Sequence, residues 1–369
     1  MAEGLRALVL NAGSSTLKWS VLEGDSGAVV ASGTEAWVGG RGEHVRELLR
    51  ALPAFAAAGH RVVHGGASFG GAVRVDAAVR AELDALVELD PLHMPPALAG
   101  IDAVEQAFPG VPQVAAFDTA FHAGMPEAAA GYALPREWSD RWRLRRYGFH
   151  GLSVAYSVAR VAALAGAMPA RLVVCHLGGG CSVTAVARGR SIDTTMGMTP
   201  LEGLPMATRS GSVDPGLLLH LILRRGVPAD ELLAALDERS GLLGVSGVSG
   251  DLRQVLAAAD GGNVRARLAY EIFVVGLRRA IGAMAGVLCG CDALAFTGGI
   301  GENSARVRAA GAAAVAGLRL DDAANAAASG DADVAAADSP VRAFVVRARE
   351  DLVILEELAR VLHWPPVKG

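Results

Sequence analysis

Lysine is almost absent from the sequence, and its absence excludes whole classes of phosphate-handling enzyme. Only Lys18 and Lys368 are lysine, and the other 32 of the 34 basic residues are arginine. A P-loop needs a lysine within Gly-Lys-Ser or Gly-Lys-Thr, whereas Lys18 lies between Leu17 and Trp19. Neither lysine has the context of the protein-kinase strand lysine. If the chain handles phosphate, it does so with backbone amides and arginine, and Lys18 is the one interior lysine that could add to them.

Cysteine is also scarce, with four residues in a chain of 369. So few cysteines in so long a chain do not predict a disulfide framework. Cys289 and Cys291 are separated by one residue, which is not a zinc-binding spacing. We expect small, buried, apolar thiols in a reducing cytosol. The four residues are Cys175, Cys181, Cys289 and Cys291.

Long apolar runs and excess positive charge are both missing. The residues before Asn11 are too polar for a signal peptide, and the most apolar stretch, 272–288, is interrupted by Arg278 and Arg279. The formal net charge is −4. Basic and aromatic residues alternate in 138–150, but no further basic run accompanies them. We therefore expect no nucleic-acid partner and no membrane partner.

The length predicts two domains, because a single hydrophobic core stops growing at roughly 250–300 residues. A strand–polar turn–strand–strand pattern occurs twice, in 7–33 and in 171–195. Further strands are predicted at 61–64, 114–117, 293–296 and 343–346, and helices at 43–58, 77–89, 95–107, 216–223, 229–236, 252–259, 264–288, 305–318 and 350–362. Residues 321–338 predict a surface segment, and the last helix is predicted to pack on the first half.

Three turns rich in glycine or hydroxyl groups each follow an apolar strand, at 11–16, 176–180 and 298–304. Such turns aim backbone N–H groups at anions, although each is also compatible with a simple polar hairpin. Ser304 stands where a dinucleotide fingerprint needs its third glycine, so a Rossmann dehydrogenase is disfavoured. His60 and His64 are four residues apart, but they lie on a predicted strand rather than on a helix, so a zinc site is disfavoured.

Several segments, taken in order along the chain, resemble the acetate kinase family. They are Asn11-Ala12-Gly13-Ser14-Ser15, His60-Arg61-Val62-Val63-His64-Gly65-Gly66, Phe117-Asp118-Thr119-Ala120-Phe121-His122, Arg146-Tyr147-Gly148-Phe149-His150-Gly151, Thr199-Pro200-Leu201-Glu202-Gly203, Thr208-Arg209-Ser210-Gly211 and residues 296–304. The resemblance runs from residue 11 to about 350 and covers nearly the whole chain.

The resemblance implies a duplicated actin-like ATPase fold, α/β, with two βββαβαβα domains and an interdomain nucleotide cleft. The expected domains are 1–120 with 352–369, and 121–351, which would carry most of the ATP site. The implied reaction is reversible, Mg²⁺-dependent transfer of the ATP γ-phosphoryl group to acetate, giving acetyl phosphate and ADP. Mn²⁺ is the alternative metal, and the implied assembly is a homodimer.

The resemblance also implies roles for individual residues. Asn11 and Glu350 would lie at the metal, Arg61 at the acetate carboxylate, Asp118 in acid/base chemistry, and His150 and Arg209 at the transition state. The methyl pocket would consist of Val63, Leu92, Phe149 and Pro200. The ATP site would consist of His176, Leu177, Gly178, Gly179, Gly180, Asp251, Leu252, Arg253, Gly299, Ile300, Gly301, Glu302 and Asn303, and the first turn adds Lys18.

The sequence departs from the family pattern at several positions and leaves alternatives open. Met94 and Gly179 each replace an asparagine, Val154 replaces a histidine, and Arg349 and Asp351 flank Glu350 in place of asparagine and glutamate. A propionate or other short-chain acyl kinase would show the same motifs. A non-catalytic nucleotide-binding regulator of this fold would be expected to lack Arg61, Asp118 or Arg209. A sugar kinase would need a sugar-binding acid and several amides.

Overall fold

The computed structural model describes residues 5–13, 16–37 and 43–367. Ser14 and Ser15 of the first predicted turn lie outside these residues, as does Lys368. The chain divides into two compact units. Unit 1 comprises the described residues up to Ala123, Phe149–Tyr156, and those from Arg349 onward. Unit 2 comprises Gly124–Gly148 and Ser157–Ala348.

Twelve strands are named in chain order within the described residues. They are β1 (Arg6–Ala12), β2 (Thr16–Glu23), β3 (Val29–Ala36), β4 (Ala57–Val62), β5 (Val73–Arg74), β6 (Gln113–Phe117), β7 (Arg171–Leu177), β8 (Cys181–Ala187), β9 (Arg190–Thr194), β10 (Ala293–Thr297), β11 (Ala332–Asp333) and β12 (Arg342–Val345).

The α-helices are named in the same way, and two short 3₁₀ helices lie at Leu86–Glu88 and Ala120–His122. They are α1 (Glu43–Ala51), α2 (Ala77–Ala85), α3 (Met94–Ala107), α4 (Glu127–Ala130), α5 (Arg136–Trp142), α6 (Gly151–Ala165), α7 (Pro215–Arg225), α8 (Ala229–Glu238), α9 (Gly241–Ser246), α10 (Leu252–Asp260), α11 (Val264–Val287), α12 (Gly298–Asn303), α13 (Ala305–Ala312), α14 (Asp322–Ala327) and α15 (Glu350–Val361). Of the helices described, none is both long and apolar enough to cross a membrane.

The two six-stranded sheets have the same topology. Unit 1 has the order β3-β2-β1-β4-β6-β5, and unit 2, taken from its other edge, has the order β9-β8-β7-β10-β12-β11. In each sheet the first three strands are antiparallel, the next two pair in parallel, and a two-residue strand closes the edge. This equivalence confirms the predicted duplication of a βββαβαβα unit.

The core of unit 1 lies on both faces of its sheet. Ala7 and Val9 of β1 belong to a cluster that contains Ile354 and Leu358 of α15. The alternate β1 residues, Leu8 and Leu10, face a second cluster that contains Leu49 and Val104. Because neighbouring side chains of a strand point to opposite faces, β1 is apolar throughout. The last helix therefore packs on the first half of the chain, as the sequence predicts.

In unit 1 the predicted boundary between the first helix and β4 is wrong, and the small residues of β4 explain the error. The predicted helix 43–58 ends at Ala51, two residues before Pro53, and β4 begins at Ala57 rather than at residue 61. A Cβ on Gly59 would lie 2.5 Å from the Ile354 side chain. Tight packing against α15 therefore selects small residues in β4, and these lack the bulk that usually indicates a buried strand.

Three further expectations are wrong in unit 2. Residues 321–338 do not form a plain surface segment, because they contain α14 and β11, and Val334 is fully buried. The helix predicted at 305–318 ends at Ala312. All four cysteines are free thiols, but Cys289, just after α11, is exposed and Cys291 is half-buried, so the expectation of four buried thiols is wrong. Cys175 and Cys181 are buried as expected.

Candidate active site

Four polar side chains of unit 1 form one hydrogen-bonded cluster around Arg61. Arg61 Nε donates to Asp118 Oδ1 at 3.1 Å, and Nη2 pairs with the other carboxylate oxygen. Arg61 Nη1 donates to Asn11 Oδ1 at 3.1 Å, and Asn11 Nδ2 donates to Glu350 Oε2 at 3.1 Å. Asn11 ends β1, Arg61 lies near the end of β4, Asp118 follows β6 and Glu350 begins α15. Adjacent strand ends therefore bring together residues that are 339 positions apart.

Burial governs the charge state of this cluster. Asp118 is fully buried, and burial, reinforced by Glu350, raises its pKa to about 6, although Arg61 opposes the shift. Burial also acts to lower the pKa of Arg61, but the Asp118 and Glu350 carboxylates outweigh it and raise that pKa. The guanidinium therefore keeps its positive charge at every pH relevant to a protein.

Asp90 and His93 belong to the surroundings of this cluster, and the sequence did not predict them. His93 Nδ1 hydrogen-bonds Asp90 Oδ1 at 2.8 Å, immediately before α3. Asp90 contributes to the raised pKa of Arg61, and His93 acts to lower the pKa of Asp118. In the sequence, the segment Leu92-His93-Met94-Pro95 is the signal that could have indicated this pair.

His150 is tied to Asp118 through the backbone. Gly151 N donates to the Asp118 carbonyl at 2.7 Å, and a Cβ on Gly151 would lie only 2.2 Å from that oxygen. His150 itself has a positive φ of 58°, which is costly for a residue with a side chain. The close approach requires glycine at 151 and fixes where α6 begins relative to Asp118.

The residues predicted for a methyl pocket have different environments. Val63 and Phe149 are buried in unit 1, and the Phe149 ring meets the His64 ring edge-on at 5.4 Å. Leu92 belongs to the same unit but is 44% exposed. Pro200 lies in unit 2. The methyl pocket stays a prediction.

Three separate segments of unit 2 line one cavity of about 580 Å³. The turn after β7, the start of α10 and the turn after β10 all contribute. A Cβ on Gly298 would lie 2.7 Å from the Leu177 carbonyl, so the two glycine turns touch. The predicted residues that line the cavity are Gly178, Gly179, Asp251, Leu252, Arg253, Gly299, Ile300 and Asn303, and Gly250, Leu256 and Ser304 line it without having been predicted.

The other residues predicted for ATP do not line this cavity. Leu177 and Gly301 are buried in the packing, and the Glu302 carboxylate accepts a hydrogen bond from Ala348 N at 3.0 Å. Lys18 lies in unit 1, where it is exposed and opposite Asn11 in the β1–β2 ladder. His176 and Gly180 lie at the ends of β7 and of the turn that follows it.

Two cavity-lining glycines have no internal reason to be glycine. A Cβ on Gly179 or Gly299 would meet no atom within 4 Å, and neither residue has a positive φ. The backbone of these two turns is therefore bordered by open space on the side that lines the cavity. Asp251 caps α10 and pairs with Arg253, and this hydrogen bonding lowers the pKa of Asp251.

Arg209 is held within unit 2 by partners of its own. Its Nε donates to Asp237 Oδ1 of α8 at 2.9 Å, and its Nη1 lies 3.4 Å from the Pro200 carbonyl. The sequence did not predict Asp237, because an acidic residue at the end of an amphipathic helix resembles any surface charge. In the described part of the chain, no group of three or more His, Cys, Asp or Glu residues forms a metal site.

The duplicated sheets, the buried arginine–carboxylate cluster and the glycine-lined cavity define the class. They are features of a phosphotransferase with the duplicated, actin-like α/β fold. The particular family follows from comparison with known proteins. The chain belongs to the acetokinase family, whose model matches residues 43–356.

Individual relatives agree with this assignment. The chain is 51% identical over 304 residues to the acetate kinase of Gloeobacter violaceus, covering 81% of this chain and 75% of that protein. The crystal structure of Porphyromonas gingivalis acetate kinase is 34% identical, with a TM-score of 0.88 over 97% of this chain and 100% of that one. A propionate kinase from Francisella tularensis is 35% identical, with a TM-score of 0.89 over 96% and 98%.

Proposed function

We propose that the chain is an acetate kinase, which transfers the γ-phosphoryl group of ATP to acetate and forms acetyl phosphate and ADP reversibly. The observation that carries the proposal is the cluster of Arg61 with Asp118, Asn11 and Glu350. The glycine-lined cavity of unit 2 supports ATP as the donor. The names of the acetate kinases to which the chain is similar support acetate as the acceptor.

The chemistry needs charge neutralisation more than it needs a base. A carboxylic acid has a pKa near 4, so acetate is already an anion at pH 7 and attacks without losing a proton. The obstacle is the approach of one anion to a polyanion. The proposal assigns the acetate carboxylate to Arg61, because a guanidinium fork matches two carboxylate oxygens and Arg61 stays charged.

Phosphoryl transfer itself requires positioning and electrostatic stabilisation. An acetate oxygen forms a bond to the γ-phosphorus while the bond from that phosphorus to the ADP oxygen breaks in line. In the proposal Arg209 and His150 stabilise the negative charge that spreads over the oxygens of the phosphoryl group in the transition state. In the proposal Asp118 orients Arg61 and does not remove a proton, because its carboxylate is hydrogen-bonded to the Arg61 guanidinium.

The residues of unit 1 also fit a divalent metal ion. Asn11 and Glu350 are neighbours, because Asn11 Nδ2 donates to Glu350 Oε2, and Asn11 Oδ1 accepts from Arg61. Each side chain carries an oxygen of the kind that Mg²⁺ takes from a protein, and Mg²⁺ typically uses one or two such ligands together with substrate phosphates. When bound, Mg²⁺ would neutralise charge on the phosphate oxygens. We propose Mg²⁺, with Mn²⁺ as the alternative, because hard oxygen donors suit both ions.

Propionate is the second candidate acceptor. The similarity to a propionate kinase of Francisella tularensis is as extensive as that to the acetate kinase structure. One methylene group changes binding in an apolar pocket by only about 1–3 kcal/mol, so both acids are expected to react. A regulator without catalytic activity is less well supported, because Arg61, Asp118 and Arg209 are all present.

The decisive experiment is hydroxamate trapping of the acyl phosphate formed from ATP with acetate, propionate and butyrate in parallel. We expect product with acetate, less with propionate and least with butyrate. The reverse reaction, ATP formation from acetyl phosphate and ADP, should proceed in the same preparation. Absence of product with all three acids would favour the regulatory alternative.

The proposal includes assembly as a homodimer in a reducing cytosol. Leu268, Ile272 and Val275 lie on one face of α11 and are exposed, as is Leu223 of α7 at 72%. The free thiol of exposed Cys289 supports a reducing compartment. Ile272→Asp should reduce the mass measured by light scattering to that of a monomer, whereas the same change at exposed Val29 in β3 should not.

A further inference from the structure

The end of α8 holds a carboxylate directly against Arg209. Asp237 Oδ1 accepts a hydrogen bond from Arg209 Nε at 2.9 Å, and the two side chains are only 14% and 18% exposed. Because α8 is amphipathic and ends at Glu238, its acidic residues would be expected to face solvent. Asp237 instead forms an ion pair with Arg209, the arginine that the proposed function places at the transferring phosphoryl group.

The backbone fixes Arg209 against the end of this helix. Ser210 N donates to the Leu236 carbonyl at 2.8 Å, and Thr208 Oγ1 donates to the Asp237 carbonyl at 2.8 Å. Ser240 N donates to the Thr208 carbonyl at 2.8 Å. The residues on both sides of Arg209 are therefore bonded to the last turn of α8 or to the residues just after it. These bonds fix the main chain at Arg209 relative to the end of α8.

A close approach on the other side of Arg209 completes this support. Gly241 has a positive φ of 59°, and a Cβ there would lie 2.2 Å from the Met206 carbonyl and 2.7 Å from the Arg209 carbonyl. Met206 N in turn donates to the Arg209 carbonyl at 3.0 Å. The main chain at Arg209 therefore has little room to shift, and the remaining freedom lies in the long arginine side chain.

We propose that Asp237 is a positioning residue, which holds Arg209 Nε so that the guanidinium is already oriented when the phosphoryl group is transferred. This inference rests on the proposed function. A carboxylate partly offsets the positive charge of Arg209, so its benefit must come from orientation. A charge that is fixed in advance needs no reorganisation at the moment of reaction, and a misplacement of about 1 Å can reduce a rate about 10²-fold.

The test compares Asp237→Ala with Asp237→Asn. In Asp237→Ala we expect kcat to fall about 10²-fold while KM for ATP and for acetate changes less than about threefold, because substrate binding does not need the ordered rotamer. Asp237→Asn retains an oxygen that accepts from Nε, so it should recover at least about tenfold of the lost kcat. The Arg209→Ala/Asp237→Ala double variant should be no slower than Arg209→Ala, because Asp237 acts only through Arg209.

Asp230→Ala is the matched control, since Asp230 lies in the first turn of the same helix and is exposed. It should keep kcat within about twofold of the wild type. Three results would overturn the role of Asp237. The first is a wild-type kcat in Asp237→Ala. The second is an equal loss of kcat and of thermal stability in Asp237→Ala and Asp237→Asn, and the third is a double variant that is much slower than Arg209→Ala. An inactive wild-type protein would instead overturn the proposed function, and the role of Asp237 with it.

Discussion

Arg61 and Arg209 are held in different ways, and their substitutions should differ accordingly. Arg61 neutralises a buried Asp118, whereas Arg209 is paired with a partly exposed Asp237. We predict that Arg61→Ala and Arg209→Ala each reduce kcat about 10³-fold while ATP still binds, because an arginine at a phosphoryl-transfer site contributes at least that much. Arg61→Ala should also destabilise the fold by about 3–5 kcal/mol, since it leaves a buried carboxylate unpaired.

Arg136→Ala supplies the control for both variants. Its side chain is 94% exposed and pairs with Asp140 one turn away, an interaction of small energy. Steady-state kinetics, calorimetric ATP binding and thermal unfolding are the measurements. Near-wild-type turnover in both Arg61→Ala and Arg209→Ala would rule out the assignment of these arginines.

The raised pKa of Asp118 predicts how activity depends on pH. Its carboxyl group has a pKa raised to about 6, chiefly by burial, so it is ionised above pH 6 and protonated below. A neutral Asp118 no longer orients Arg61 as an ion pair. We predict that kcat/KM falls as pH drops below about 6 and that Asp118→Asn, already neutral, lacks this dependence. A wild-type profile that stays flat from pH 7 to pH 5 would contradict the prediction.

At the scale of elements, glycines at the ends of strands and helices serve two different purposes. Gly179 has open space around it, so Gly179→Val should leave thermal stability within about 1 kcal/mol of the wild type and raise KM for ATP at least about tenfold. The added side chain would project into the cavity of unit 2. Gly330→Val, which also meets no neighbour, should change neither quantity.

Gly151 serves the other purpose, because it lets α6 begin against the Asp118 carbonyl. Gly151→Ala should lower the free energy of unfolding by about 1–3 kcal/mol, since its methyl group would overlap that oxygen. In the exposed helix position Gly282, the same substitution meets no neighbour and should stabilise by about 0.5–1 kcal/mol. Equal stability changes in the two variants, measured by urea unfolding, would disprove the close approach.

For the whole molecule, two buried histidines set the stability in acid. Burial lowers the pKa of both His60 and His122 to about 4, from 6.5 when exposed. Between pH 6.5 and pH 4 these two histidines are protonated in the unfolded chain but neutral in the folded chain. Their contribution to the free energy of unfolding is therefore fully present above pH 6.5 and is lost as the pH drops toward 4. Asp118, with its raised pKa, binds a proton in the folded state and offsets part of this loss.

We therefore predict a free energy of unfolding about 3 kcal/mol lower at pH 5 than at pH 7. His60→Gln can still donate to Gln113 and should reduce that difference by about 2 kcal/mol. His220→Gln, on the exposed face of α7, should leave it unchanged. A pH dependence that is the same in His60→Gln as in the wild type would exclude His60 as its source.

Local sequence patterns predicted strands and helices well where burial gives the apolar residues a regular spacing along the chain. The strands β2, β8 and β10 and the helices α8, α10 and α11 lie within a few residues of their predicted positions. The patterns failed where packing is decided by neighbours distant in sequence. Small residues of β4 face α15, and Val334 is buried in a segment that looks like a surface loop.

The roles of Arg61 and Arg209 follow only from the resemblance to the acetate kinase family and stay predictions. The sequence by itself determined the repeated strand–turn–strand–strand pattern and the exclusion of a P-loop lysine. These depend on residue type and spacing, which the chain carries locally. Only the tertiary structure decided that Asp90 and His93 influence Arg61 and Asp118, that Asp237 holds Arg209, and that three segments line one cavity. Such pairings arise because parallel strands end at one edge of a sheet, so contacts form between residues that no local pattern connects.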